Sequence, residues 1–222
     1  MELKTYFPFW DKLSISDKEI MESFAKIKKV KKGEIIHNGT ENCSDLLLIT
    51  DGQLRAYIMS EEGKEITLYR MFERDMCLFS AACIVNSIEF DIIVEAALDS
   101  EIISIPAEVY KNIMEKYAAV ALYTNEVMAA KFSDVMWLMD QVVNKKLDSR
   151  LAAFLIEESD INNTKELKLT HEKIARHLGS VREVITRMLK YFQTEELVKL
   201  NRGGIEIINR DGLEKIGEPS IR

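Results

Sequence analysis

Proline is nearly absent from this sequence, with 3 in 222 residues, and glycine is sparse at 9. Collagen-like and linker-dominated chains are excluded by that composition. Cysteine also numbers only 3, an odd count in a long chain. That argues against a disulfide framework and for a reducing, cytoplasmic setting. No apolar run approaches the ~18 residues needed to span a bilayer, so no membrane partner is expected. The opening MELKTYFPFWDK holds a short aromatic cluster and then charges, with no small-residue cleavage site, and does not read as a secretion signal. No internal repeat, phosphate loop, Cys–His–Asn arrangement or metal-ligand spacing is present, so neither an enzyme nor a metal protein is indicated.

What the chain does have is 47% apolar and 30% charged residues, the balance of a globular protein. Its net charge of -7 looks wrong for a partner of nucleic acid. The sum hides an asymmetry. Before Asp148 lie 17 of the 30 basic and 24 of the 37 acidic residues, which accounts for the whole excess. Between Lys165 and Lys190 there are 7 basic residues against 3 acidic ones, together with His171 and His177. A polyanion meets the local field, not the total.

The hydrophobic period changes along the chain. SDKEIMESFAK, from Ser16 to Lys26, reads as a short amphipathic helix in which Ser16 and Glu19 fit a capping box. From Val30 to about Ile105 the apolar segments are strand-sized: DLLLIT, QLRAYIM, EITLYRMF, DIIVEAAL and EIISI. Turn signals at Gly33, Gly39, Gly52, Gly63 and Asp99 separate them, which suggests a sandwich or barrel. EEGKE is the clearest hairpin. From Ala107 to about Asn144 there is neither Gly nor Pro, and a long helix is expected. Ala121, Asn125, Met128, Phe132, Val135, Met139 and Val142 alternate by four and three, a seam for a partner helix. The same stripe also suits packing on the chain's own domain. Tyr117, Val120, Tyr123, Trp137 and Leu138 lie off it and favour intramolecular packing. A boundary is expected at Val143 to Leu147, where a further amphipathic helix begins.

The most informative stretch is LTHEKIARHLGSVREVITRMLKYFQTEELV. Thr170 suits the N-cap of a first helix, with Ile174, Ala175 and Leu178 on its buried face. Gly179 falls where that helix must stop, in a backbone conformation that glycine adopts without strain. Ser180 is expected to start a second helix, with Glu183 as capping partner and Ile185, Met188 and Leu189 buried. This spacing is that of a helix-turn-helix. The exposed face carries Arg182, Glu183, Thr186 and Arg187. Arginine reads guanine O6 and N7, and glutamate accepts from cytosine N4. Thr170, Ser180 and Thr186 suit phosphate contacts. A solvated Glu183–Arg187 pair is the plainer alternative for this face. LVKLNRGGIEII then reads as two short strands about a Gly-Gly turn, a wing whose Arg202 suits either a phosphate contact or a solvated turn.

The order of strand-rich domain, long helix and winged helix resembles the cyclic-AMP receptor/FNR superfamily of bacterial transcription regulators. GSVREVITRMLK is similar to that family's recognition pattern G-x-x-R-E-x-V-x-R, and KKGEIIHNGT and EEGKEITLY look like its β-roll. The resemblance implies an α+β chain. It would have a cyclic-nucleotide-binding-like β-roll over 1–106, a dimerisation helix over 107–143 and a winged helix-turn-helix over 144–222. It implies a homodimer on a pseudo-palindromic DNA duplex, with RNA polymerase as a further partner, and base-reading roles for Arg182, Glu183 and Arg187. The family usually has Ser or Thr just before the first of these arginines. Here that residue is Val181.

Cyclic-nucleotide-binding members hold ribose and phosphate with a Gly-Glu pair and, about ten residues later, an Arg-Ser or Arg-Thr pair. The corresponding ERDMCLFSAACIVNSIEFDIIVEAAL has no glycine, and Asp91, Ile92 and Ile93 stand where the arginine pair belongs. A phosphate there lacks compensation, so cyclic AMP is disfavoured. An iron–sulfur cluster is disfavoured too, because it usually takes four thiolates. No cofactor is expected. Arg70, Arg74, Cys77, Ser80 and Cys83 are the candidates for a non-standard effector pocket. Cys77 and Cys83 also support an alternative in which the chain is a thiol-based redox sensor.

Overall fold

The computed structural model describes residues 3–38, 45–77 and 92–221. These form two compact units, one of Met1–Ile58 and Leu68–Val135, the other of Met59–Thr67 and Met136–Arg222.

In the amino-terminal part of the chain a helix, α1 (Ile15–Phe24), precedes strands β1 (Lys26–Val30), β2 (Ile35–Asn38), β3 (Asp45–Asp51), β4 (Leu54–Met59), β5 (Glu65–Met71), β6 (Met76–Cys77), β7 (Ile92–Ala96) and β8 (Ser100–Pro106). They make two four-stranded sheets, ordered β1-β8-β3-β6 and β2-β7-β4-β5. Successive residues of β3 serve two cores. Leu47 and Ile49 join Leu54, Ala56, Tyr69, Val94 and Ile102 in a core shared by the two sheets. Leu46 and Leu48 join Phe7, Trp10, Met21, Tyr110 and Val120 in a second core, built with the helices. A strand buried on both faces has no polar alternation, which is why Leu46 to Ile49 read as an unbroken apolar run. The turn between β3 and β4 depends on Gly52. Its φ is 88°, and a Cβ there would stand 2.3 Å from the Ser100 hydroxyl oxygen.

The N-cap of α1 lies two residues earlier than expected. Ser14, not Ser16, is the N-cap, and its hydroxyl oxygen accepts from the Asp17 amide. Asp17 decides this. Its carboxylate takes bonds from the Ser14 hydroxyl (2.9 Å), Lys116 Nζ (2.9 Å) and the Tyr117 hydroxyl (2.7 Å). The same network corrects the expectation of one helix from Ala107 onward. There are two, α2 (Ala107–Lys116) and α3 (Ala118–Asn144). Tyr117 between them is extended, with φ -123°. Its ring packs into the second core.

In the second unit α4 (Leu147–Asn162) follows α3 after Lys145 and Lys146, whereas the two units divide at Val135 and Met136, within α3 and ahead of the expected boundary. Strand β9 (Glu166–Leu167), helices α5 (His171–Leu178) and α6 (Arg182–Thr194), strands β10 (Val198–Asn201) and β11 (Gly204–Ile207), and α7 (Arg210–Gly217) follow. Leu151, Leu155, Ile174, Ile185, Leu189, Phe192 and Leu213 form its core. Each fully buried aliphatic of this kind contributes ~1.5–3 kcal/mol. Helix α7 meets α4 backbone to backbone, since a Cβ on Gly217 would lie 3.0 Å from the Ala153 amide nitrogen. The Arg210 guanidinium secures its start with two bonds to Asp160, at 2.6 and 2.9 Å.

Candidate nucleic-acid interface

Helix α5 starts as its sequence dictates. The Thr170 hydroxyl oxygen accepts from the Lys173 amide, and Ile174, Ala175 and Leu178 are buried. Gly179 ends the helix with φ 66°. The amides of Gly179 and Ser180 both donate to the Ala175 carbonyl, which closes the helix. Ser180 is thereby tied to the helix behind it and does not cap the one ahead. The N-cap of α6 is Val181, extended at φ -112° and with no side-chain bond to the helix. Ile185 and Leu189 are fully buried, and Met188 packs against the same core less deeply.

The outer face of α6 is a shallow concavity lined by Arg182, Glu183, Thr186, Arg187 and Lys190. Arg182, Glu183, Arg187 and Lys190 are exposed. The Glu183–Arg187 pair is not formed among the described residues, so both side chains keep their hydrogen-bonding groups for another partner. Lys190 was not among the residues singled out from sequence. Its place four residues beyond Thr186 and eight beyond Arg182 puts it on the same face. His171 was noted only as a charge. The structure sets its Nδ1 2.8 Å from the Thr186 hydroxyl oxygen, at the edge of this face.

Strands β10 and β11 pair antiparallel in the expected hairpin, with Asn201 opposite Gly204. Arg202 is exposed in the turn. Strand β9, which the sequence reading did not include, pairs with β11 through Leu167 and Ile205. The wing is therefore an edge of a three-stranded sheet. No helix of the described residues is long and apolar enough to cross a membrane.

The effector candidates lie in the first unit. Cys77 is buried at 1% exposure in the core shared by the two sheets. Arg74 has a left-handed backbone, φ 73°, and an exposed side chain. Arg70 is partly buried on β5. Ser80 and Cys83 lie outside the described residues, as does most of the stretch that corresponds to the family's cyclic-nucleotide pocket. Three side chains missed from sequence stand together, and one of them, Tyr69, shares its core with Cys77. Lys131 Nζ stands 5.1 Å from the centroid of the Tyr69 ring and 3.6 Å from an Asp134 carboxylate oxygen. Burial pushes the Tyr69 phenol well above its ordinary range, with Cys77, Asp134 and Asp75 acting in the same direction.

A double-sheet roll, a long helix and a winged helix-turn-helix with free arginines define a DNA-binding transcription regulator. The comparisons with known proteins agree. A model of the Crp-like helix-turn-helix domain matches residues 149–216, and one of the cyclic nucleotide-binding domain matches residues 27–117. A solved structure of a transcriptional regulator of the Crp/Fnr family from Eubacterium rectale is 56% identical. That likeness covers 96% of this chain and 99% of that one, with a TM-score of 0.92. FixK2 from Bradyrhizobium japonicum shares the fold at 18% identity and a TM-score of 0.70, over 86% of this chain and 96% of that one. The transcriptional regulator SdrP of Thermus thermophilus is 24% identical over 77% of this chain and 82% of its own length. The chain belongs to the Crp/Fnr family of transcription regulators.

Proposed function

We propose that the protein acts as a cytoplasmic homodimer that reads a pseudo-palindromic DNA site, without enzymatic activity, under the control of an effector other than cyclic AMP. The observation that carries DNA reading is the outer face of α6. It holds two exposed guanidiniums and a carboxylate with no ion-pair partner among the described residues. Pairing is supported by α3, where Leu122, Phe132, Met136, Met139 and Val143 are large, apolar and exposed. With Asn125 and Ala129 they repeat by three and four, the spacing of a coiled-coil seam. The row differs from the expected one, because Met128 and Val135 pack on the cores of their own unit. Two α6 helices on a dimer would meet successive major grooves ~34 Å apart. RNA polymerase is the natural partner of a regulator seated this way.

The effector reading rests on sequence: no glycine and no arginine pair stand where a cyclic phosphate would be held. A redox reading through Cys77 is the weaker one, since a thiol buried this deeply is poorly placed to meet an oxidant.

Selection of bound fragments from genomic DNA tests the central proposal, followed by titration of the best fragment. Arg182→Ala and Arg187→Ala each cost ~1–3 kcal/mol on that fragment and relax base preference at one position per half-site. A double variant that binds every fragment as the wild type does removes the assignment. Cyclic AMP added to the titration leaves the affinity unchanged.

A further inference from the structure

His171 is the first residue of α5, directly after its N-cap Thr170, and is partly buried. Its Nδ1 lies 2.8 Å from the Thr186 hydroxyl oxygen on α6. That hydroxyl donates its one proton to the Arg182 carbonyl, also at 2.8 Å. The oxygen must therefore accept from His171, and Nδ1 carries the proton. In the neutral ring Nε2 is then a bare acceptor. It has nothing to give a phosphate oxygen and repels it through its lone pair. In the imidazolium Nε2 becomes a charged donor, the group that a phosphate selects.

The free protein disfavours the charged ring. The charged groups that face it from α6 are Arg182 and Lys190. On its own helix Glu172 is engaged by Arg176 Nε at 3.4 Å. The amino end of α5 adds a positive partial charge. Burial first, then Arg182 and Lys190, hold the imidazole below its ordinary value. A nucleic-acid backbone laid along this face reverses the two electrostatic effects, because it neutralises both cations.

We propose that His171 is a proton-gated phosphate contact, so that each winged-helix domain takes up one proton from solvent as it seats on DNA. The inference rests on the reading of α6 as the DNA-facing helix. It goes further by making affinity depend on pH through one named side chain. The sign is fixed by linkage. The bound state holds the proton more tightly than the free state, so affinity rises as pH falls through the bound-state value and levels off below the free-state value.

Fluorescence anisotropy with the selected duplex tests this, in phosphate-free buffers at constant ionic strength from pH 5.5 to 8.5. Affinity of the wild type rises toward acid by about tenfold per domain for each unit by which binding lifts the imidazole. Calorimetry in two buffers of different ionisation enthalpy reads the same proton uptake directly. His171→Gln retains an amide donor for Thr186 and cannot titrate, so its profile is flat and it takes up no proton. His171→Arg binds at pH 8.5 as tightly as the wild type does at pH 6. A flat profile in a wild type that binds overturns the inference and leaves DNA recognition standing. An unchanged slope in His171→Gln overturns it too, and moves the titration to another group. Absence of binding by the wild type and by His171→Arg at every pH sinks both this inference and the reading beneath it. Melting temperatures of the variants, measured without DNA, separate loss of fold from loss of contact.

Discussion

The Arg150 guanidinium donates to the Leu178 carbonyl at 2.7 Å, so α4 fills the acceptor left open where α5 ends. The residue after Leu178 is Gly179, at which the chain turns toward α6. The bond thus fixes the exit of one helix and the aim of the next. Burial disfavours the charge on Arg150, so its hydrogen bond is needed to hold it there.

Arg150→Met keeps the stem and removes the donor. It is expected to destabilise the protein by ~1.5–3 kcal/mol, because a charged donor is lost and a carbonyl is left unmet. Urea unfolding reads this as a lower midpoint at an unchanged slope. Arg150→Lys recovers part of the loss. A midpoint equal to that of the wild type in Arg150→Met would show that water satisfies Leu178 instead.

Acid stability should report on Asp17. Bonds from Lys116, then Tyr117 and Ser14, lower its carboxyl to about 2. A carboxylate depressed in the folded state contributes stability that is fully present above its unfolded value of ~3.9. That stability is lost as pH falls through about 2. The Lys116 ammonium is more than half exposed, so screening reduces the contribution to about 1–2 kcal/mol. Asp17→Asn should lose that amount at neutral pH and show a flatter unfolding profile between pH 4 and 2. A profile parallel to that of the wild type would deny Asp17 this role.

The two interleaved rows of α3 allow the proposed association to be tested apart from folding. Met139→Asp places a charge in the exposed row and is expected to yield monomers by sedimentation, with weaker DNA binding and little change in unfolding. Val135→Ala removes two methyl groups from a contact with the core of its own unit. It should leave association intact and cost ~0.5–1.5 kcal/mol of stability. Association unchanged in Met139→Asp would place the dimer contact elsewhere.

Much of the winged helix is legible in sequence because its signals are local. Thr170, Gly179 and the Asn201–Gly204 turn each act within a few residues of themselves, and the folded protein uses each as expected. The misreadings arise where distant groups decide. Ser14 and Ser16 both precede an acidic residue by three positions, and only the approach of Lys116 and Tyr117 selects Ser14. Ser180 reads as a cap until the Ala175 carbonyl takes its amide. On α3 both rows are apolar at helical spacing, and which one faces inward depends on sheets far away in the chain. His171 gives no signal of its own, since its role requires α5 and α6 to cross where they do. The distribution of charge, by contrast, marks the basic segment from sequence alone.

Only Arg202 and Gly203 stand between the paired residues Asn201 and Gly204. A finger this short is an adjustable gauge. Lengthening it by one residue on each side moves the tip outward by ~3.3 Å but turns every side chain to the opposite surface; two on each side restore the original facing. Operators whose flanking backbone lies nearer or farther could be accommodated by such even-numbered growth, with the reading helix left untouched.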